Sequence, residues 1–580
     1  MLSRRFLVAP LLLAACSARA TPRPKLSLET TGERSQWTKT GRYDEAVTLC
    51  HDFARAYAGV ECLELGKTLE DRPIVAVHIA RAPGKPTIYV QAGVHAGEIE
   101  GKDAGFWFVR DLLDGKVAPG ALDAVNLVFV PCINPDGHER FGKHNRPNQR
   151  GPEEMGFRTN GVRMNINRDF VKADSNEIQA VLGVFRAHDP IVLVDLHTTD
   201  GAKFEQDIAV LVAPAAPRAS SLDETAKTLS DHIQQRLGAL GHLPLPFYPS
   251  FETDDDPTSG FAVGEAPPRF SQSYAAARCR LGILVETHSW RTYKERAKSM
   301  YDALAALLER ATTDAAAWRA SATESEEADD QLRGHELPVV WQNGPHRTEI
   351  AFRGYAYEKR DSEISGAPWI VYDETKPQIW NVPLQDEIVT KVSAQVPVEG
   401  YVIDGGFAAI VGPVLERHGI KTTKIKGRPT LSVEAFRATA VKFDPPYEGR
   451  SRATIEGGWK AEQRTLDQGA LFVSTRQPLL RLVVNMLDPA APDSLAQWGT
   501  LNPAFEKKEY MESYVAEQVA RDQLAVDPTL RAQFDAALAA DPELAKTPAK
   551  RLEWFYRRHA AWDERVDLLP IYRLNTPTGM

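Results

Sequence analysis

The chain has 580 residues, 25% of them charged, with a formal net charge of −9. It is too long for one core, since single cores rarely grow beyond about 250–300 residues, and its 43% hydrophobic content is that of a folded protein. Nothing in it forms the clustered basic surface that a nucleic-acid footprint requires.

In chain order, Met1-Leu-Ser-Arg4-Arg5 is a basic start, and Phe6 to Ala15 is an apolar run too short to span a bilayer. Residues 1–20 therefore read as a signal peptide. Leu13-Ala-Ala-Cys16 has the pattern of a bacterial lipoprotein signal, and Ala18-Arg-Ala20 offers ordinary cleavage instead. Both predict export to the periplasm or beyond it, the first with membrane attachment through a lipidated Cys16. From 44 to 57 the pattern is helical. Strands follow at 60–66, 73–80, 86–94 and 125–132, and helices at 98–114, 174–187, 222–239 and 293–318. That alternation predicts an α/β domain over 21–320. The acidic stretch 321–335 is a linker or the end of the last helix. A β-rich region follows over 336–500, interrupted by one helix at 407–418. The segment 501–580 reads as helical. Of the remaining cysteines, Cys50 and Cys62 are placed to join the first helix to the next strand, or to stay as buried thiols like Cys132 and Cys279.

Chemistry concentrates at two strand ends. Pro86-Thr-Ile-Tyr-Val-Gln-Ala-Gly-Val94 is followed by His95-Ala-Gly-Glu98, an imidazole and a carboxylate three residues apart. Nitrogen and oxygen donors at this spacing suit zinc, which keeps only three protein ligands where it works on substrate. Val192-Leu-Val-Asp-Leu-His197 supplies another His after an apolar run. Two such groups imply a site on the carboxyl edge of the sheet. No Gly-x-Ser-x-Gly elbow, P-loop or Cys-x-x-Cys occurs, so serine-hydrolase, nucleotide and zinc-ribbon chemistry lack support.

Further motifs follow in order: Asn134-Pro-Asp-Gly137, Asn167-Arg168, and Leu281-Gly-Ile-Leu-Val-Glu286. Over residues 40 to 315 this arrangement resembles the zinc carboxypeptidase family, the carboxypeptidase A/B-type metallopeptidases. The resemblance implies one zinc ion on His95, Glu98 and His197. It makes Glu286 the general base that takes a proton from zinc-bound water. Asn167 and Arg168 match the pair that grips a substrate's terminal carboxylate, for which a guanidinium fork is well shaped. Arg158 matches the arginine that polarises the scissile carbonyl, with Arg146 and Arg150 as competitors. Tyr274 matches the mobile tyrosine that closes over substrate. One position departs from the pattern. Many members have Asp two residues before the Asn-Arg pair, facing the first zinc His, and here it is Asn165. A neutral amide raises ligand basicity less than a carboxylate does.

The implied fold is a mixed-sheet α/β catalytic domain followed by the β-rich and helical regions. The implied activity is an exported zinc metallopeptidase acting at the C-terminal end of peptides, with peptide as its partner and no protein partner legible. A second reading is an N-acyl-amino-acid deacylase of the aspartoacylase or succinylglutamate desuccinylase type, or a cell-wall peptide amidase. A third is a non-catalytic binding protein.

Overall fold

The computed structural model describes residues 26–577 apart from 219, so the leader and Cys16 lie outside the described residues. Its central feature is a mixed sheet. The strands of the first half are β1 (Val60–Lys67), β2 (Pro73–Ile79), β3 (Thr87–Ala92), β4 (Asn126–Val130), β5 (Val192–Thr199), β6 (Ile208–Ala213), β7 (Pro244–Leu245), β8 (Phe261–Ala262) and β9 (Leu281–His288). All but β8 join one eight-stranded sheet in the order β1-β2-β4-β3-β5-β9-β6-β7. Strands β4, β3, β5 and β9 run parallel, and β1, β2 and β6 pair antiparallel around them.

The parallel strands are covered on both faces, which is why they read as continuous apolar runs rather than alternating ones. Every residue of β3, β5 and β9 is buried. Along β3, Ile88, Val90 and Ala92 face a cluster built by helices Tyr43–Ala56, Glu100–Leu113, Ser221–Ala239 and Tyr293–Asp329. Tyr89 points the other way, toward helices Asn176–His188 and Ser271–Ala277. Cys50 and Cys62 form a disulfide that ties the helix Tyr43–Ala56 to β1, while Cys132 and Cys279 are free and buried.

The second half adds β10 (Glu336–Asn343), β11 (Thr348–Asp361), β12 (Pro368–Gln385), β13 (Ile388–Gln395), β14 (Gly400–Ile403), β15 (Thr423–Lys424), β16 (Thr430–Phe443), β17 (Ala453–Thr465), β18 (Leu471–Ser474) and β19 (Leu568–Leu574). Strands β10 and β13 pair, and β11 and β12 form a long hairpin that continues onto β8. The other six make a sheet ordered β15-β18-β14-β19-β16-β17. This half is not a tethered module. Tyr401, Val411, Leu415, Leu480 and Val484 share one apolar cluster with Tyr89 and Phe185 of the α/β domain.

Two expected boundaries are decided here. Of the two readings of the acidic stretch 321–335, the end of the last helix holds and the linker does not, because the helix Tyr293–Asp329 runs through most of it and a 3₁₀ turn, Asp330–Leu332, follows. Its carboxylates are used: Glu326 pairs with Arg280 at 2.5 Å and Asp329 with Arg481 at 2.7 Å. Nor is 501–580 helical throughout. Helices fill Ser513–Val526, Pro528–Ala540, Pro542–Lys546 and Pro548–Tyr556, but β19 then returns between β14 and β16 with all seven residues buried. Pairing β19 there satisfies backbone groups that two strand edges would otherwise leave unmet.

Candidate active site

The site begins where β3 ends. The Glu98 amide donates to the His95 carbonyl at 2.9 Å, a turn that brings residues i and i+3 together. The next helix then packs very closely on the sheet. A Cβ at Gly101 would lie 2.8 Å from Leu196 and 2.9 Å from Ala92, so glycine there lets Glu98 approach β5. The Asn-Pro-Asp-Gly segment braces the same strand end. Asn134 caps the helix Pro135–Glu139 by accepting from Gly137 N at 2.9 Å, and its amide donates to the Val94 carbonyl at 3.2 Å.

Glu98 sits between the two histidines. Its Oε1 is 3.0 Å from His95 Nδ1, and its Oε2 is 2.9 Å from His197 Nδ1. All three side chains are buried, and their donor atoms lie within 4.8 Å of one another. Each ring is held from behind. His95 Nε2 lies 3.1 Å from Asn165 Oδ1, an oxygen that can only accept, so the proton belongs on Nε2 and the Nδ1 lone pair faces Glu98. His197 Nε2 lies 3.0 Å from Asp195 Oδ2, which in turn accepts from Ser271 Oγ at 2.5 Å. Two imidazole lone pairs and a carboxylate thus converge on one point, the donor set that zinc takes. These residues fit the metal.

The electrostatics follow from burial and proximity. Burial pushes His95 down to about 4 despite Glu98. Burial opposes charge on His197 too, but Asp195 and Glu98 outweigh it and hold that ring well above its ordinary value. Glu98 is held well below the usual carboxylate range, since His95 and Arg146 overcome its desolvation. Glu286 is pushed up to about 8, first by burial and then by the neighbouring carboxylates Glu98 and Asp195.

The cleft in front of this cluster has a volume of about 540 Å³ and is lined by His95, Arg158, Asn167, Arg168 and Glu286 among others. Glu286 Oε2 is buried without a partner. Arg168 donates to the Asn167 carbonyl at 3.0 Å, and its guanidinium lies 4.2 Å from the centre of the Phe270 ring. The three candidate arginines separate. Arg146 Nη2 lies 2.7 Å from Glu98 Oε1 and Arg158 Nη1 3.6 Å, whereas Arg150 is engaged by Glu374 at 2.7 Å.

Tyr274 is a correction. It is fully buried in the helix Ser271–Ala277, and its hydroxyl is 2.8 Å from His418 Nδ1, so it packs in the core instead of facing substrate. The tyrosine on the cleft is Tyr248, which is 39% exposed. Its proline-flanked loop carries no periodic signal. Asp195 was also missed, though its position two residues before His197 on a strand puts both on one face.

Residues 47–200 match the family model described as zinc carboxypeptidase. Carboxypeptidase A4 of Mus musculus is 30% identical over 110 residues, 18% of this chain and 26% of that protein. The inactive metallocarboxypeptidase ECM14 of Saccharomyces cerevisiae is 30% identical over 119 residues, 18% of this chain and 28% of that one. The chain thus spans about a quarter of the length of the curated relatives it matches. Among solved structures, a metallo-carboxypeptidase from Pseudomonas aeruginosa aligns at a TM-score of 0.36 and 18% identity, over 45% of this chain and 67% of that one. The matched stretch contains His95, Glu98, Asn167, Arg168 and His197, while Glu286 lies beyond it. Through residues 47–200, the α/β domain of this chain is similar to the zinc carboxypeptidase family.

Proposed function

We propose that this protein is a zinc-dependent peptidase that removes residues from the C-terminal end of peptides. The observation that carries the reading is the convergence of His95, Glu286, Asn167 and Arg168 on one cleft, with Glu98 and His197 clustered on His95. Zinc held by His95, Glu98 and His197 would supply Lewis acidity, which lowers the pKa of water from ~16 to about 7. Glu286, with a carboxylate oxygen unpartnered, takes the proton of the attacking water and passes it to the leaving amine. Arg158 stabilises the charge that develops on the scissile carbonyl oxygen, with Arg146 beside it. Asn167 and Arg168 hold the terminal carboxylate, and Tyr248 on the cleft takes the role that the resemblance gave to Tyr274.

The Cys50–Cys62 disulfide suits an oxidising compartment, which supports export by the leader. The experiment is a mass-spectrometric screen of peptide libraries with and without chelator. Chelator-sensitive loss of single C-terminal residues is the expected outcome. Metal binding without turnover on any peptide, or turnover confined to N-acyl amino acids, overturns the reading.

A further inference from the structure

A hairpin of the second half of the chain reaches toward the site. Strands β16 and β17 are joined by a hairpin whose tip is closed by Tyr447 and Arg450, each amide donating to the other's carbonyl at 2.9 and 3.1 Å. The two residues between them, Glu448 and Gly449, have φ of +49° and +75°. Such two-residue turns favour Asn, Asp or Gly, whose backbones enter the left-handed region at little cost. A glutamate there is strained, and strain of this kind concentrates where a side chain has a task.

The task is visible in its contacts. Glu448 Oε2 accepts from the backbone N–H of Asn165 at 2.7 Å. Arg450 anchors the hairpin beside it with a two-pronged pair to Asp174 at 2.6 and 3.0 Å. Asn165 is the residue on which both halves of the site depend. Its Oδ1 faces His95 Nε2 at 3.1 Å and also accepts from Asn167 N at 3.1 Å, and its carbonyl accepts from Arg168 N at 3.0 Å. One side chain from the C-terminal half therefore holds the backbone that orients a zinc histidine and starts the turn carrying Asn167 and Arg168.

We infer that Glu448 is a positioning residue supplied to the active site by the C-terminal half of the chain. It fixes Asn165, and through Asn165 the His95 ring and the carboxylate-binding turn. The substrate part of this inference rests on the peptidase reading above; the metal part does not.

The test uses the zinc-loaded full chain. Glu448→Gly removes the carboxylate and relieves the strained turn, and Glu448→Asn places a residue the turn prefers but one too short to reach Asn165. Both should melt no lower than wild type. Zinc release to a chromophoric chelator should nevertheless accelerate about fivefold, less than the roughly tenfold cost of losing a direct partner of a ligand, because Glu448 acts one contact further out. KM for free-acid peptides should rise by a similar factor with kcat changed less, and Glu448→Gln, which keeps an acceptor oxygen, should restore most of both. Zinc release and KM within twofold of wild type in Glu448→Gly and Glu448→Asn would overturn the inference. If wild type cleaves no peptide, the peptidase reading fails alone, and the zinc-release rates still decide the role of Glu448.

Discussion

His197 on β5 and Glu286 on β9 are directly paired residues of adjacent parallel strands. Neighbouring strands lie about 4.8 Å apart. The backbone separation between a proposed zinc donor and the proposed base is therefore set by strand hydrogen bonding, and side-chain rotamers set the rest. A site built this way tolerates little movement of either strand.

The first prediction concerns that pair. Glu286→Gln keeps the shape and one oxygen of the side chain but removes the base. Hydrolysis should fall by about 10²–10⁴ in kcat, while zinc content, read by atomic absorption, stays near one equivalent. A variant with near wild-type turnover would remove Glu286 from the mechanism.

Asp195 should matter to metal retention. It is buried, touches His197 Nε2 and is itself held by Ser271. Losing such an outer partner typically costs 10–100-fold in metal affinity. Competition with a chelating dye should show that loss for Asp195→Ala, a smaller one for Asp195→Asn, and a modest one for Ser271→Ala, which touches no zinc ligand.

Substrate selection should follow two features of the cleft. If Arg168 reads the terminal carboxylate, C-terminally amidated peptides should be cleaved at least tenfold more slowly, since an unpaired partner costs roughly 2–5 kcal/mol. Part of the lining is apolar: Leu211 and Leu284 are paired, and both line the cleft. Apart from Glu286, the buried carboxylate in this lining is Glu265, which is already occupied by Arg218 and by the amides of Ala215 and Ala216, each at 2.9 Å. Peptides ending in Phe or Leu should therefore exceed those ending in Lys or Arg about tenfold in kcat/KM. Equal rates for acid and amide would exclude terminal selection.

Stability should carry a separate pH signature. His242 lies between Asp207 at 2.5 Å and Asp302 at 2.9 Å. Burial opposes its charge, but those two carboxylates outweigh it and raise the ring to about 9. A raised folded pKa means that the stabilisation is complete below the unfolded value of about 6.5 and is lost as pH rises through about 9. Both aspartates are held below their ordinary values, so the clamp also weakens in strong acid. Wild type should melt above His242→Gln at pH 6, by an amount on the order of 2 kcal/mol, and the gap should close by pH 10. A gap independent of pH would show that the ring only fills space.

Local chemistry was legible in the order of residues. His95-Ala-Gly-Glu98, the apolar run ending in His197 and the strand carrying Glu286 each announce a ligand or an acid at a strand end, because period and spacing are written along the chain. The same holds for the strands themselves, whose continuous apolar runs reflect burial on both faces. Contacts across long separations were not legible. Tyr274 and Tyr248 are equally tyrosine in sequence, and only packing put the first against His418 and the second on the cleft. Arg146 and Arg150 lie four residues apart, yet one reaches Glu98 and the other Glu374. The return of β19 into a sheet begun more than 160 residues earlier, and the reach of Glu448 to Asn165, depend on how whole layers stack. Patterning records which face of an element is apolar, whereas the partner for that face is chosen only when the tertiary core closes.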